Sequence, residues 1–201
     1  VEQLLIEERL RFRLFLANKA LPQGAVKVSV IISVRGEENG LRRTLDSVLS
    51  QSLVEYEIIC AEGGASSLAL RECAEHCERL RIVTPKNLSA GAARDAGVDA
   101  AAGEYAIFLD AGDRLLPDSL RRLYDTAVKN KLDFVKGTVR LKDARSGETE
   151  LPALWNHRDC PKLWTVTAFA EAPRELLEMG ASVYGLYRTE FVRQSGLAFS
   201  P

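Results

Sequence analysis

Short apolar runs alternate with amphipathic segments through the first two-thirds of this sequence, and this alternation constrains the fold most. The apolar, largely β-branched runs lie at residues 26–33, 56–61, 81–83 and 105–109. Segments with the apolar spacing of helices follow them, at residues 41–50, 68–77, 89–102 and 117–129. A β-α-β alternation implies right-handed crossovers and a mainly parallel sheet covered by helices. The sequence therefore predicts an α/β fold.

Three loops follow the predicted strands at residues 33–40, 62–67 and 110–113. The carboxyl ends of parallel strands meet at one edge of the sheet, and open α/β sheets bind their ligands there. We therefore expect these three loops to converge on one site.

Composition excludes several classes of protein. The 201 residues suffice for one packed α/β domain with appendages. The 27 Lys and Arg residues balance the 28 Asp and Glu residues, which argues against a nucleic-acid or anionic-membrane binder. Two His residues argue against multi-histidine chemistry. No run is long and apolar enough to cross a bilayer, and four Cys are too few for a disulfide scaffold. We expect a cytoplasmic location, with the inner face of a membrane as the alternative.

The two ends of the chain are less regular. Residues 1–19 predict a helix followed by a breaking linker, and this helix either packs on the next domain or belongs to an upstream or oligomerisation element. The second half predicts strands at 134–141 and 182–187 and helices at 173–179 and 189–194. Because the chain begins with Val1, we expect it to be a piece of a longer protein.

Asp110 and Asp113 lie on a short glycine-containing turn after the fourth predicted strand. Two carboxylates on such a turn can bind a hard divalent cation, which in turn neutralises a diphosphate. The alternative is a solvated turn in which Asp113 caps the segment that follows.

Two long segments resemble the nucleotide-binding half of family 2 glycosyltransferases. They are VKVSVIISVRGEENGLRRTLDSVLSQSLVEYEII and NLSAGAARDAGVDAAAGEYAIFLDAGDRLLPDSLRRLYD. Near the end, YGLYRTEFVRQSGLAF is similar to the acceptor-side segment of polysaccharide-type members. The resemblance implies the Rossmann-like GT-A fold, a three-layer α/β/α arrangement with a mainly parallel central sheet. It would occupy residues 23–201, with the nucleotide-binding half at 26–130, part of the acceptor half at 131–201, and the helix and linker at 1–22.

The resemblance also implies a reaction. Family 2 enzymes transfer a sugar from a nucleotide-diphosphate donor to a saccharide or other hydroxyl acceptor, usually with inversion. A divalent cation, Mg or Mn, stabilises the diphosphate leaving group. The implied partners are therefore a nucleotide-sugar and a glycan acceptor, with flanking domains of a longer protein and no nucleic acid.

By the same resemblance, seven residues form the expected site. Those expected to contact substrate are Ser33, Arg35, Glu62, Gly63, Arg94 and Asp110, and the expected metal ligand is Asp113. The chain also departs from the family pattern. Arg35 replaces the usual aromatic residue beside the base, Gly63 replaces an acid that touches it, and one of three acids is missing from the metal motif.

Two interpretations of these departures stay open. Glu62 could reach further than the usual Asp, and Arg35 could stack on a base or pair with a phosphate. Alternatively, the domain has drifted and serves as an inactive binding or scaffolding unit. A sugar nucleotidyltransferase is a weaker rival, because its glycine-rich basic phosphate loop is reduced here to Arg35.

The catalytic base is not assigned within the chain. The late acids Glu171, Glu175, Glu178 and Glu190 do not form the acidic pair of the family. We expect the base beyond Pro201.

Two further groups allow alternative interpretations. Cys73, His76 and Cys77, with His157 and Cys160, could bind zinc, although half-buried thiols packed on the sheet are the simpler interpretation. Trp155 and Trp164 could stack on a sugar or anchor an irregular segment to the core.

Overall fold

The computed structural model describes residues 24–34, 38–63, 68–87, 89–137, 141–142, 149–150, 185–196 and 199. Strands and helices alternate through residue 136. The elements are β1 (Val28–Val34), α1 (Glu38–Leu49), β2 (Tyr56–Glu62), α2 (Leu68–His76), β3 (Leu80–Val83), α3 (Ala90–Ala100), β4 (Tyr105–Asp110), α4 (Ser119–Asn130), β5 (Phe134–Lys136), β6 (Leu141–Lys142), β7 (Thr149–Glu150), β8 (Gly185–Arg188) and α5 (Thr189–Gln194).

Six strands form the main sheet, in the order β3-β2-β1-β4-β8-β5. Strands β1 to β4 are parallel to one another, whereas β8 runs antiparallel to both β4 and β5. The prediction of an α/β fold with a mainly parallel sheet is confirmed. From β1 the chain proceeds outward through β2 and β3, and then crosses to place β4 on the other side of β1. The strand order therefore reverses between β1 and β4, the position where such sheets form a ligand crevice.

Helices cover both faces of the sheet. On one face, α1, α2 and α4 contribute Leu45, Leu70 and Leu120 to a core that includes alternate residues of β1. On the other face, Val98 of α3 and Val192 of α5 pack around a smaller core. These buried side chains supply the main driving force for the fold, about 1.5–3 kcal/mol for each large one.

Helix α3 lies unusually close to the sheet at Gly97. A Cβ atom at that position would lie 2.3 Å from Cγ2 of Ile31 on β1, so that any larger residue would force the helix away. At its start, the Ser89 hydroxyl accepts a hydrogen bond from the Ala92 amide at 3.0 Å, so that Ser89 is the N-cap of the helix. The small residues of this helix thus bring its remaining side chains close to the strand ends.

The second half differs from the prediction in two places. The strand expected at 134–141 is divided, because β5 joins the main sheet whereas β6 pairs with β7 in a separate two-stranded sheet. The helix expected at 117–129 begins later, at Ser119, because Pro117 precedes α4 and the intervening Asp118 has a φ of 63°. The helix at 189–194 is confirmed, and Gly196 follows it with a φ of 64°.

Several expectations lie outside the described residues. They are the helix at 1–19, the helix at 173–179, and the irregular stretch with Trp155 and Trp164. In the part of the chain that the structure describes, every helix is too short or too polar to span a membrane.

The cysteines of α2 and its C-terminal end are packed against the sheet. Cys73 and Cys77 are buried in the larger core, as is Cys60 of β2, so that these thiols are more buried than the sequence suggested. Burial raises the pKa of the Cys73 thiol to about 11, which keeps it protonated. His157 and Cys160, the other two groups of the zinc hypothesis, lie outside the described residues.

Candidate functional site

The carboxyl ends of β2, β1 and β4 bring three of the expected site residues to one edge of the sheet. Ser33 pairs in register with Asp110, and Val34 pairs with Glu62. Both Ser33 and Glu62 are buried, with exposed fractions of 4% and 3%. The Ser33 hydroxyl makes no hydrogen bond within the described structure. A buried, unsatisfied hydroxyl at the reversal of strand order is a group that a bound ligand would satisfy.

Arg94 reaches this edge from helix α3. Its Nη2 atom lies 3.1 Å from Oδ1 and 3.3 Å from Oδ2 of Asp110. The guanidinium also lies over the ring of Phe199, 5.8 Å from its centroid, and that ring packs edge-on against Phe108. The Arg94 Nε atom is buried and makes no hydrogen bond within the described structure. The guanidinium therefore keeps donor capacity for an anionic group.

The turn after β4 holds two carboxylates. Oδ2 of Asp113 accepts a hydrogen bond from the Asp110 amide at 3.0 Å, and the Asp113 amide donates to the Asp110 carbonyl oxygen at 2.9 Å. Gly112, between them, has a φ of 114°, a conformation that favours glycine. The Asp113 side chain thus folds back to the strand end. The described contacts do not include the cap of the following segment that the alternative interpretation required.

The environment of Asp113 disfavours its negative charge. Burial is the main factor that raises the pKa of this carboxyl above its ordinary value, and the neighbouring Asp110 charge acts in the same direction. The Asp110 amide and the Arg94 cation partly offset these effects. A cation bound at Asp113 would compensate the remaining free-energy cost of the partly buried negative charge.

The residues of this turn have ligand types that suit a divalent cation. Asp110 and Asp113 provide hard oxygen ligands, the type that Mg²⁺ and Mn²⁺ prefer. Among the described residues, no group of three or more His, Cys, Asp or Glu side chains could hold a metal ion. Protein sites for Mg²⁺ commonly use one or two carboxylates and complete the coordination with substrate phosphates and water. A cation held by these two carboxylates would take its other oxygen ligands from water or a bound phosphate.

Three polar side chains hold the acidic turn and the segment after it, namely Thr44 and Ser47 on helix α1 and Gln51 just beyond the end of that helix. None of them was among the predicted site residues. The Gly112 amide donates to the Thr44 hydroxyl at 2.9 Å. Further along, backbone amides donate to Ser47 Oγ at 3.1 Å and to Gln51 Oε1 at 3.0 Å. Thr44, Ser47 and Gln51 recur at helical spacing beside the apolar face, which was the available signal.

Two expected contact residues, Gly63 and Arg35, remain, together with the late acids to which no role was assigned. Gly63 is partly exposed just after β2, whereas Arg35 lies outside the described residues, as do Glu171, Glu175 and Glu178. Glu190 is exposed on α5 and hydrogen-bonds Gln194 at 2.7 Å. It follows Thr189, whose amide donates to the Glu104 carbonyl at the opposite end of β4. Glu190 is therefore far from the acidic turn along the strand direction.

Comparison with known proteins identifies the class. The family model described as glycosyl transferase family 2 matches residues 29–178, and the chain belongs to this family. The chain is 27% identical to the putative glycosyltransferase EpsH of Bacillus subtilis over 176 residues, which cover 86% of this chain and 50% of EpsH. It is 31% identical to the glycosyltransferase GlyA of Streptococcus pneumoniae, over 55% of this chain and 16% of GlyA.

A solved structure shows the same fold. The crystal structure of residues 1–349 of TarS from S. aureus matches 87% of this chain and 50% of that chain, with a TM-score of 0.68 and 16% identity. The GT-A fold is thereby confirmed. This chain spans about half the length of EpsH and of the TarS fragment, and a sixth of GlyA.

Proposed function

We propose that this chain contains the donor site of a glycosyltransferase that moves a sugar from a nucleotide-diphosphate to a hydroxyl group of a saccharide acceptor. The observation that carries the proposal is the position of Arg94, Asp110 and Asp113 together, where the strand order reverses. Membership of family 2 supports it. So do the TarS structures with the same fold, which were determined in complex with UDP and with UDP-GlcNAc.

Each side chain has a proposed role that follows from its position. Arg94 binds a phosphate oxygen through its remaining N–H donors, while its stacking on Phe199 limits its motion. Ser33 and Glu62, at the ends of β1 and β2, contact the nucleoside. With Gly63 in place of an acid, we propose that Glu62 supplies the carboxylate there and that Arg35 contacts base or phosphate.

Asp113 and Asp110 would hold Mg²⁺ or Mn²⁺. Such an ion stabilises the negative charge of a departing diphosphate. The chain itself supplies the orientation, because the Asp110 amide holds Oδ2 of Asp113 while Arg94 holds the Asp110 carboxylate. Inversion at the sugar and a glycan acceptor are proposed from the family. The catalytic base and its place beyond Pro201 stay predictions.

Calorimetry with UDP-, GDP- and CDP-sugars, each with and without Mn²⁺, tests this proposal. We expect Mn²⁺ to raise the affinity for one of these donors by about tenfold or more, and Asp113→Ala to abolish the increase. Asp125→Ala is the matched control, because Asp125 is an exposed acid on α4. Absence of Mn²⁺-dependent binding to any donor would instead favour the non-catalytic scaffolding domain.

A further inference from the structure

The Thr44 hydroxyl both accepts and donates a hydrogen bond, and it thereby connects helix α1 to the acidic turn. The side chain is completely buried. Its Oγ1 accepts a hydrogen bond from the Gly112 amide at 2.9 Å and donates to the Asp113 carbonyl oxygen at 2.7 Å. The carbonyl of Gly40, one helical turn earlier, is more distant at 3.3 Å. One hydroxyl thus joins two backbone atoms that flank the proposed metal ligand.

The helix approaches the turn closely enough for these contacts because residue 40 is glycine. A Cβ atom there would lie 3.2 Å from the Gly112 nitrogen and 3.3 Å from the Ala111 carbonyl oxygen, which is tighter than ordinary packing. The turn also contains Gly112, whose φ is positive. An unconstrained glycine has access to many other backbone conformations. The contact with Thr44 therefore adds to the hydrogen bonds between Asp110 and Asp113 in holding one conformation of this turn.

We infer that Thr44 is a positioning residue, whose hydroxyl sets the direction in which Asp113 presents its carboxylate to a metal-bound diphosphate. The inference rests on the proposed function and deepens it. Thr44 reaches Asp113 only through the backbone, so that it acts on the ion through Asp113. The contacts that orient a ligand are expected to alter metal affinity about 10–100-fold when they are lost.

A buried threonine elsewhere in the chain separates this role from general stabilisation. Thr189 is 3% exposed and donates to the Gly103 carbonyl oxygen at 2.7 Å, before the start of β4. Thr44→Val and Thr189→Val therefore remove the same hydroxyl from equally buried sites at opposite ends of one strand. Thr44→Ser restores the hydroxyl without the methyl group.

The experiment measures Mn²⁺-dependent UDP binding by calorimetry for the wild-type chain and these three variants. We expect Thr44→Val to weaken it by about tenfold or more, Thr44→Ser to recover most of the loss, and Thr189→Val to leave it unchanged. A second readout needs no metal. Amide hydrogen exchange at Gly112, followed by NMR, should accelerate in Thr44→Val and not in Thr189→Val. If the valine variants do not fold, Thr44→Ala and Thr189→Ala replace them.

Two results would overturn the inference while leaving the proposed function intact. One is a Mn²⁺-dependent UDP affinity of Thr44→Val equal to that of the wild-type chain. The other is an equal loss of this affinity in Thr44→Val and Thr189→Val. If the wild-type chain shows no Mn²⁺-dependent binding of UDP but binds another donor in this way, the same variants are compared with that donor. Absence of binding to every donor overturns the proposed function and this inference together.

Discussion

Arg94 covers the carboxylate of Asp110 with a single nitrogen, Nη2, which lies 3.1 Å from Oδ1 and 3.3 Å from Oδ2. The arginine side chain is 15% exposed, whereas that of Asp110 is 50% exposed. The acid thus keeps an open side toward solvent while its charge is partly neutralised from within the protein. The divalent cation that we propose at the acidic turn would therefore compete with Arg94 for Asp110, whereas both would bind the same diphosphate.

This competition predicts opposite effects of one substitution. Arg94→Gln should weaken UDP binding in the presence of Mn²⁺ by about tenfold or more, because a charge-assisted bond to phosphate is lost. The same change should strengthen the binding of Mn²⁺ alone, because Asp110 loses its internal cation. Titration calorimetry with each ligand measures both. Arg43→Gln, at an exposed position of α1, is the control, and a parallel fall of both affinities in Arg94→Gln would contradict the prediction.

The raised pKa of Asp113 predicts a pH-dependent cost in stability. The folded chain binds the Asp113 proton more tightly than the unfolded chain does. Rising pH therefore destabilises the folded state from the ordinary Asp pKa, about 3.9, up to the raised value. Asp113→Asn removes this charge, and its amide oxygen can still accept from the Asp110 amide.

We therefore expect Asp113→Asn to melt at a higher temperature than the wild-type chain at pH 7, with the difference vanishing near pH 3. Thermal melts in a chelating buffer, over a series of pH values, measure this. Asp125→Asn should show no such trend. A constant difference at every pH would mean that packing, and not charge, distinguishes the variant.

A buried carboxylate away from the site provides a prediction about stability alone. Glu57 is 4% exposed, and its oxygens accept hydrogen bonds at 2.6 Å from the Ser29 hydroxyl, the Ala102 amide and Arg81. These bonds connect β1, β2 and β3 to the segment after α3. Glu57→Ala should lower the free energy of unfolding by about 2–4 kcal/mol, because the buried Ser29 hydroxyl and two partly buried donors lose their acceptor.

Glu55 is the matched control for this change, two residues earlier. It pairs with Lys27 at 2.7 Å, and both side chains are about one-third exposed. Glu55→Ala should cost no more than about 1 kcal/mol. Urea unfolding measures both variants, and Mn²⁺-dependent UDP binding should survive in each. Equal losses of stability would show that burial does not determine the contribution of these acids.

The order of strands and helices through residue 130 follows from local patterns. Mostly apolar, β-branched runs such as that of β1 predicted buried parallel strands, and the helices between them followed from apolar spacing. The strand expected at 134–141 was wrong as one element, because Lys136 ends β5 in the main sheet and Leu141 begins a separate pair. Gly137 lies between those two strands, but a single glycine within such a run also fits a bulge in one continuous strand.

The candidate site likewise contains residues that the local sequence predicted and residues that it did not. The family motifs and strand ends marked Asp110, Asp113 and Arg94 from sequence alone. Thr44 was not predicted, because its hydrogen-bond partners are 68 and 69 residues away in the chain.

The sequence by itself thus determined the identity and order of the elements through residue 130 and the residue types of the candidate site. Periodicity reports the burial of each segment separately, and a motif reports the chemistry of its own residues. Only the tertiary structure decided that α1 packs against the turn after β4, that Arg94 reaches Asp110, and that Phe199 lies beneath Arg94. Those contacts depend on the order β2-β1-β4 in the sheet, because it places segments that are distant in the chain beside one another.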